Sequence, residues 1–221
     1  MAAHRVFVTG GTGYIGTRLI PVLRQHGQEV LALVREQSRI RLPNGSTPVT
    51  GDALDGNSYR HAVAGTDTFI HLVGVSHPSP AKAREFVDVD LRSGLEAIRV
   101  ARESGVQHFI YVSVAHPAPV MRAYTDVRAQ CEDAMFRSGL NCTILRPWYV
   151  LGPGHRWPYA LLPFYRIAEL VPRTRDTARR LGLVTIQQMV SALAAAVGNS
   201  VQGIRIIEVP EIRQLGQRTA I

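Results

Sequence analysis

"RVFVTGGTGYIG", residues 5–16, is the stretch on which the fold turns. A Val/Phe run of strand length ends in glycine. Gly10, Gly13 and Gly16 then recur at a spacing of three, at the start of the helical pattern "YIGTRLIPVLRQHG" (14–27). Strand, glycine turn and helix in this order open a βαβ unit. Gly10 permits a tight turn off the strand, Gly13 lets a diphosphate approach the backbone with no Cβ in the way, and Gly16 lets the helix pack closely on the sheet. With Gly11, Thr12, Tyr14 and Ile15 they make a loop at a helix N-terminus, where free N–H groups and the helix dipole favour an anion. The expected ligand is a dinucleotide.

The alternation continues along the chain. Apolar runs at 29–35, 47–52, 66–74, 106–114 and 141–147 are separated by helical segments at 56–64, 81–104 and 122–138. The runs are rich in Val, Ile and Leu without clean alternation, as strands covered on both faces by helices should be. This predicts an α/β fold with a doubly wound parallel sheet, its dinucleotide-binding core in residues 1–155. After Pro147 the pattern loosens. Residues 156–221, with a helix in "TIQQMVSALAAAVGN" and a strand in "GIRIIEV", read as a small cap region completing the same domain.

The 221 residues, 46% of them hydrophobic, suffice for one sizeable core. No apolar run is long enough to span a membrane, and the N-terminus enters a strand with no signal-peptide pattern, so a cytoplasmic protein is expected. Cys131 and Cys142 belong to no CxxC pair, and no His/Cys cluster has metal-ligand spacing. The net charge of +8 invites a nucleic-acid reading. Lys82 is the only lysine, however, and the densest basic run, "RTRDTARR" (173–180), has no interleaved aromatics to stack on bases. The bias to arginine suits genome coding composition better than nucleic-acid binding, which is not expected.

The end of the second strand discriminates between dinucleotides. An acid there would accept hydrogen bonds from the ribose 2′-OH of NAD. Here the strand ends "LALVR", and Arg35 offers a cation where a 2′-phosphate would lie, with Arg39 and Arg41 close behind. NADP(H) is favoured over NAD(H), although Arg35 also fits as an ordinary surface residue of an arginine-rich chain.

"TGGTGYIG", followed in order by "GDALD", "HLVGV", "YVSV", Tyr124 and "ILRPWYVLGPG", resembles the extended and atypical short-chain dehydrogenases/reductases over residues 4–155. Within them the likeness is greatest to the atypical NAD(P)-binding members, including NmrA-like regulators and the accessory subunit of respiratory complex I. The resemblance implies that Asp52 and Ala53 contact the adenine and that Leu72, Val73 and Gly74 run past the adenosine and ribose. It places Pro147 and Trp148 beside the nicotinamide and Ser113 near the active-site hydroxyl. Asp52 also fits as a turn cap, and Ser113 as a core hydroxyl.

The family carries Tyr-x-x-x-Lys on the helix after strand five. "YTDVR" (124–128) matches it with Tyr124 and Arg128, which share a helix face. The tyrosine would exchange a proton with the substrate. The cation would lower its pKa and hold the nicotinamide ribose, with Arg128 bringing a planar fork in place of an ammonium. The second serine of the family is absent: Ala115 and His116 follow Ser113 and Val114. His116 is a candidate acid/base group or a solvated loop residue.

The expected activity is NADP(H)-dependent hydride transfer to or from a carbonyl, quinone or similar small molecule, with Tyr124, Arg128 and Ser113 catalytic. The competing expectation is a non-catalytic NAD(P)(H)-binding sensor or assembly subunit. Epimerase or dehydratase chemistry is a more distant third. Trp148, Trp157, Tyr159 and Phe164 suggest an apolar mouth or small-domain core packing, and the helices at 81–104 and 122–138 are those the resemblance implies for a homodimer.

Overall fold

A computed structural model describes residues 3–118, 120–154 and 175–218. Trp157, Tyr159, Phe164 and the start of the basic run lie outside the described residues. Strand β1 (Arg5–Thr9), helix α1 (Gly16–Gln25), strand β2 (Glu29–Val34), strand β3 (Thr47–Thr50) and the short helix α2 (Arg60–Val63) form the first half. Strand β4 (Thr68–His71) follows. Helix α3 (Ala83–Glu85) then runs through a π-helical segment, Phe86–Leu91, into α4 (Arg92–Glu103). Strand β5 (His108–Val112), helix α5 (Arg122–Ser138) and strand β6 (Cys142–Arg146) come next.

The last third contains β7 (Tyr149–Leu151), α6 (Arg175–Arg180), β8 (Leu183–Thr185), α7 (Ile186–Gly198), β9 (Ile204–Glu208) and α8 (Val209–Arg218). The main sheet has the order β3-β2-β1-β4-β5-β6-β9, with every pair parallel. Strand β9 is thus the seventh strand of the same sheet. A separate parallel pair, β7 and β8, lies beyond it.

Period-two alternation sorts the strand residues to two cores. Val6, Val8, Ile70, Ile110, Leu145 and Ile207 meet Leu19, Ile20 and Leu23 of α1 and Met189, Val190 and Leu193 of α7. Phe7, Phe69, Phe109 and Ile144 meet Ala97 and Ala101 of α4 and Met135 of α5. Phe7, Phe69 and Phe109 form an edge-to-face ladder at 5.0 and 5.3 Å across three neighbouring strands. Helix α7 starts with a capping box in which Thr185 and Gln188 satisfy each other's backbone N–H.

Two local differences from expectation matter for function. The fourth strand stops at His71, and residues 72–74 beyond it form a cavity wall. The helix expected over 81–104 is interrupted by the π-helical segment, whose wide turn directs Asp90 into the interior.

Candidate dinucleotide site

The strand order reverses at β1 and β4, and the C-terminal ends of these strands open onto a cavity of about 370 Å³. Gly10, Thr12, Gly13, Arg35, Asp52, Ala53, Leu72, Val73 and Gly74, all expected from sequence, line it. Gly10 adopts φ +76°, and a Cβ there would lie 2.8 Å from the Leu72 carbonyl carbon, so the loop and the β4 exit touch through glycine. A Cβ on Gly16 would lie 2.7 Å from Gly11 Cα, which ties this glycine to helix–loop packing. Gly11 faces inward, within 3.0 Å of Ile20 Cδ1 for an added Cβ. Tyr14 and Ile15 pack against the α1-side core. Helix α1 begins with no side-chain cap and no acid in its first turn; Thr17 and Arg18 N–H are bonded to the Gly13 and Ile15 carbonyls, and the dipole of the helix end still favours an anion at the loop. These features fit the diphosphate of a dinucleotide.

At the far end of the cavity, Arg35 and the buried Ser38 line the wall. Arg41 Nη2 donates to Ser38 Oγ at 2.9 Å and fixes its position. The first acid after β2 is Glu36, and its carboxylate accepts from Thr50 Oγ1 at 3.1 Å. Glu36 does not line the cavity. Asp52 lines the cavity, and its Oδ1 accepts from Leu54 N–H at 3.0 Å as a turn cap.

Tyr124 and Arg128 come together on α5. The Arg128 guanidinium carbon lies 5.2 Å from the Tyr124 ring centroid, and Phe86 packs on the same ring at 5.0 Å. Arg128 is only 5% exposed. Its Nη1 donates to Tyr111 Oη at 3.1 Å and to the Val112 carbonyl at 2.9 Å, and its Nη2 forms an ion pair with buried Asp90. Burial pushes the Asp90 carboxyl above its ordinary range against the pull of Arg128. Arg128 is held protonated, its own burial outweighed by Tyr111, Tyr124 and Asp90.

Ser113 is buried at the end of β5, and its hydroxyl donates to Glu132 Oε1 at 2.5 Å. Glu132 also accepts from Arg146 Nε at 3.1 Å and from Arg146 Nη2, and His116 Nε2 stands 3.3 Å from its second oxygen. Burial raises the Glu132 carboxyl, but bonds from His116, Arg146 and Ser113 overcome this and hold it at about 2. Pro147 is buried, its carbonyl accepting from Ala115 N–H at 2.9 Å, and Trp148 packs edge-on to Tyr149 at 5.4 Å. Ser113, Tyr124, Arg128, Pro147 and Trp148 stand outside the cavity lining.

His71 has partners that its sequence neighbours do not reveal. Its Nδ1 bonds Thr9 Oγ1 at 2.8 Å, its Nε2 lies 3.4 Å from Ser93 Oγ, and its ring stacks on Tyr111 at 5.8 Å. Burial and then Arg128 push it down to about 3, so it is neutral. Sequence reasoning also missed Ser38, Asp90 and Glu132. A signal existed for the two acids: Phe86, Asp90, Ala97 and Ala101 share one helical face, as do Arg128, Glu132 and Met135, and an acid on an apolar face needs a partner. Among the described residues no group of three His, Cys, Asp or Glu could hold a metal, and no helix is long and apolar enough to cross a membrane.

The sequence model of the NAD(P)H-binding family matches residues 10–156. A 3-beta-hydroxysteroid dehydrogenase of Mycolicibacterium neoaurum is 30% identical over 115 residues, 49% of this chain and 31% of its own length. A ceramide reductase of Caulobacter vibrioides is 25% identical over 214 residues, 96% of this chain and 66% of its own. The chain thus spans less than two thirds of either relative. In structure, the Bordetella bronchiseptica enzyme WbmH in complex with NAD+ superposes with a TM-score of 0.69 at 20% identity, covering 98% of this chain and 80% of that one, a likeness of fold. The chain belongs to the NAD(P)H-binding family.

Proposed function

We propose that this chain is an NADP(H)-dependent oxidoreductase that moves hydride to or from a carbonyl, quinone or similar acceptor on an apolar substrate. The observation that carries the reading is the continuous cavity wall from Gly10 and Gly13 to Arg35 and Ser38. Thr12, Gly10 and Gly13 would hold the diphosphate at the α1 N-terminus, and Asp52, Ala53 and the 72–74 wall the adenosine. Arg35 and Ser38 would take the 2′-phosphate, the nearest acid after β2 being engaged with Thr50. When bound, the dinucleotide supplies or accepts the hydride at the nicotinamide.

Tyr124 is the chain's proton donor or acceptor at the substrate oxygen. Ser113 is committed to Glu132, and its role is to hold the end of β5 against α5. The apolar substrate class is supported by relatives whose names specify a steroid and a ceramide. A second reading, a dinucleotide-binding module without turnover, is favoured by one observation: the Ser113 hydroxyl and the two terminal nitrogens of Arg128 are engaged inside the protein. Titration with NADPH and NADH, then NADPH oxidation with a panel of apolar ketones and quinones, tests the assignment. Preferential NADPH binding with turnover is expected, and turnover with NADH alone contradicts it.

A further inference from the structure

We propose that Asp90 and Arg128 form a positioning pair that sets the 72–74 wall of the dinucleotide cavity, and that this, and not a grip on the nicotinamide ribose, is the work of the arginine. The inference rests on the dinucleotide-binding reading above.

The bonding of the guanidinium decides the point. Nη1 serves Tyr111 Oη and the Val112 carbonyl, Nη2 serves Asp90, and Nε is buried without a partner. What Arg128 shows to Tyr124 is a contact with the ring face. With both terminal nitrogens bonded inside the protein, the guanidinium is not free to swing toward a ribose, as an ammonium on a flexible stem would be.

The pair reaches the cavity by another route. Asp90 Oδ1 meets Arg128, and its Oδ2 accepts the Val75 N–H at 3.0 Å, directly behind Val73 and Gly74 of the wall. The guanidinium lies so close under the wall that a Cβ on Gly74 would stand 2.5 Å from Nη2. The π-helical segment makes this possible. Its single wide turn places Val89 in the cavity lining, Asp90 on Arg128 and Val75, and Phe86 on the Tyr124 ring. The wall, the π turn, α5 and the end of β5 are therefore joined at one buried ion pair. A lysine at 128 brings one nitrogen and cannot serve Asp90, Tyr111 and Val112 with the same fork.

The test is a binding titration by calorimetry of wild type, Asp90→Asn and Arg128→Lys. The two ligands are NADPH and the 2′-phosphate of ADP, which lacks both the nicotinamide and its ribose. Both variants are expected to lose affinity for both ligands by about tenfold, the scale of one lost charged hydrogen-bond partner, and by the same factor for each ligand. Fragment binding that is unchanged while NADPH binding falls would place Arg128 at the nicotinamide ribose and overturn the inference. Unchanged binding of both ligands would do the same. Gly74→Ala approaches the pair from the loop side and covers the case in which a buried-charge variant fails to fold. It is expected to weaken both ligands alike, and full affinity in it counts against the proposal. Wild type that binds neither ligand sinks the functional reading itself, and the inference with it.

Discussion

The Ser113 hydroxyl donates to the Glu132 carboxylate at 2.5 Å, across the junction of β5 and α5. Arg146 and His116 complete the shell around that carboxylate. A buried acid held by a hydroxyl and a guanidinium beside an imidazole stays ionised far below its usual range, and its loss leaves the buried Ser113 hydroxyl without its acceptor.

Glu132 should therefore make the protein acid-sensitive in a defined window. Its folded value of about 2 lies below its ordinary 4.5. The stabilisation is complete above pH 4.5 and is lost as pH falls toward 2. By linkage it is on the order of 3 kcal/mol. Glu132→Gln is expected to be less stable at pH 7 and to have a flatter stability profile across that window, as read by urea unfolding at a series of pH values. A variant as acid-sensitive as wild type contradicts this.

His71 extends the sensitivity upward. It is pushed from 6.5 to about 3 in the folded chain, so unfolding takes up a proton below pH 6.5. Stability is full above pH 6.5 and declines as pH falls toward 3. His71→Gln keeps polar atoms beside Thr9 and Ser93 but cannot titrate. Its unfolding free energy should change less between pH 6.5 and 5 than that of wild type, and an identical slope would count against the assignment.

Gly10 should tolerate no side chain. Its φ of +76° and the 2.8 Å approach to Leu72 make Gly10→Ala costly by about 1–3 kcal/mol, from strain and displaced backbone together. Thermal melting should fall and NADPH affinity with it. Unchanged melting and affinity would mean the loop relaxes freely.

Arg35 separates the two dinucleotides. Removing it in Arg35→Ala should weaken NADPH by about tenfold or more and leave NADH nearly unaffected, because only the former carries the 2′-phosphate. Equal losses for both ligands would place Arg35 elsewhere.

The fold and the lining of the cavity were legible because local rules agree there. Gly10, Gly13 and Gly16 need their spacing for backbone reasons, and Arg35, Asp52, Leu72 and Gly74 follow strands whose ends the sheet brings together. Asp90 and Glu132 were not read, although each breaks the apolar face of its helix, because their partners lie 38 and 14–19 residues away in the chain. The π turn was hidden for a related reason: helical periodicity sees one long helix, and the bonds that Asp90 of the widened segment makes to Arg128 and Val75 come from other parts of the chain. The bond from the Ser113 hydroxyl to Glu132 was likewise not legible, because it is set by packing across 19 residues of chain.

The most direct measurement is NADPH oxidation by wild type and Tyr124→Phe side by side against apolar ketones and quinones, with NADPH affinity determined for both. Removing the phenolic hydroxyl leaves the ring on Phe86 and Arg128, so binding should persist while turnover drops by about 10²-fold or more. Turnover that survives in Tyr124→Phe contradicts the account and moves proton transfer to another group.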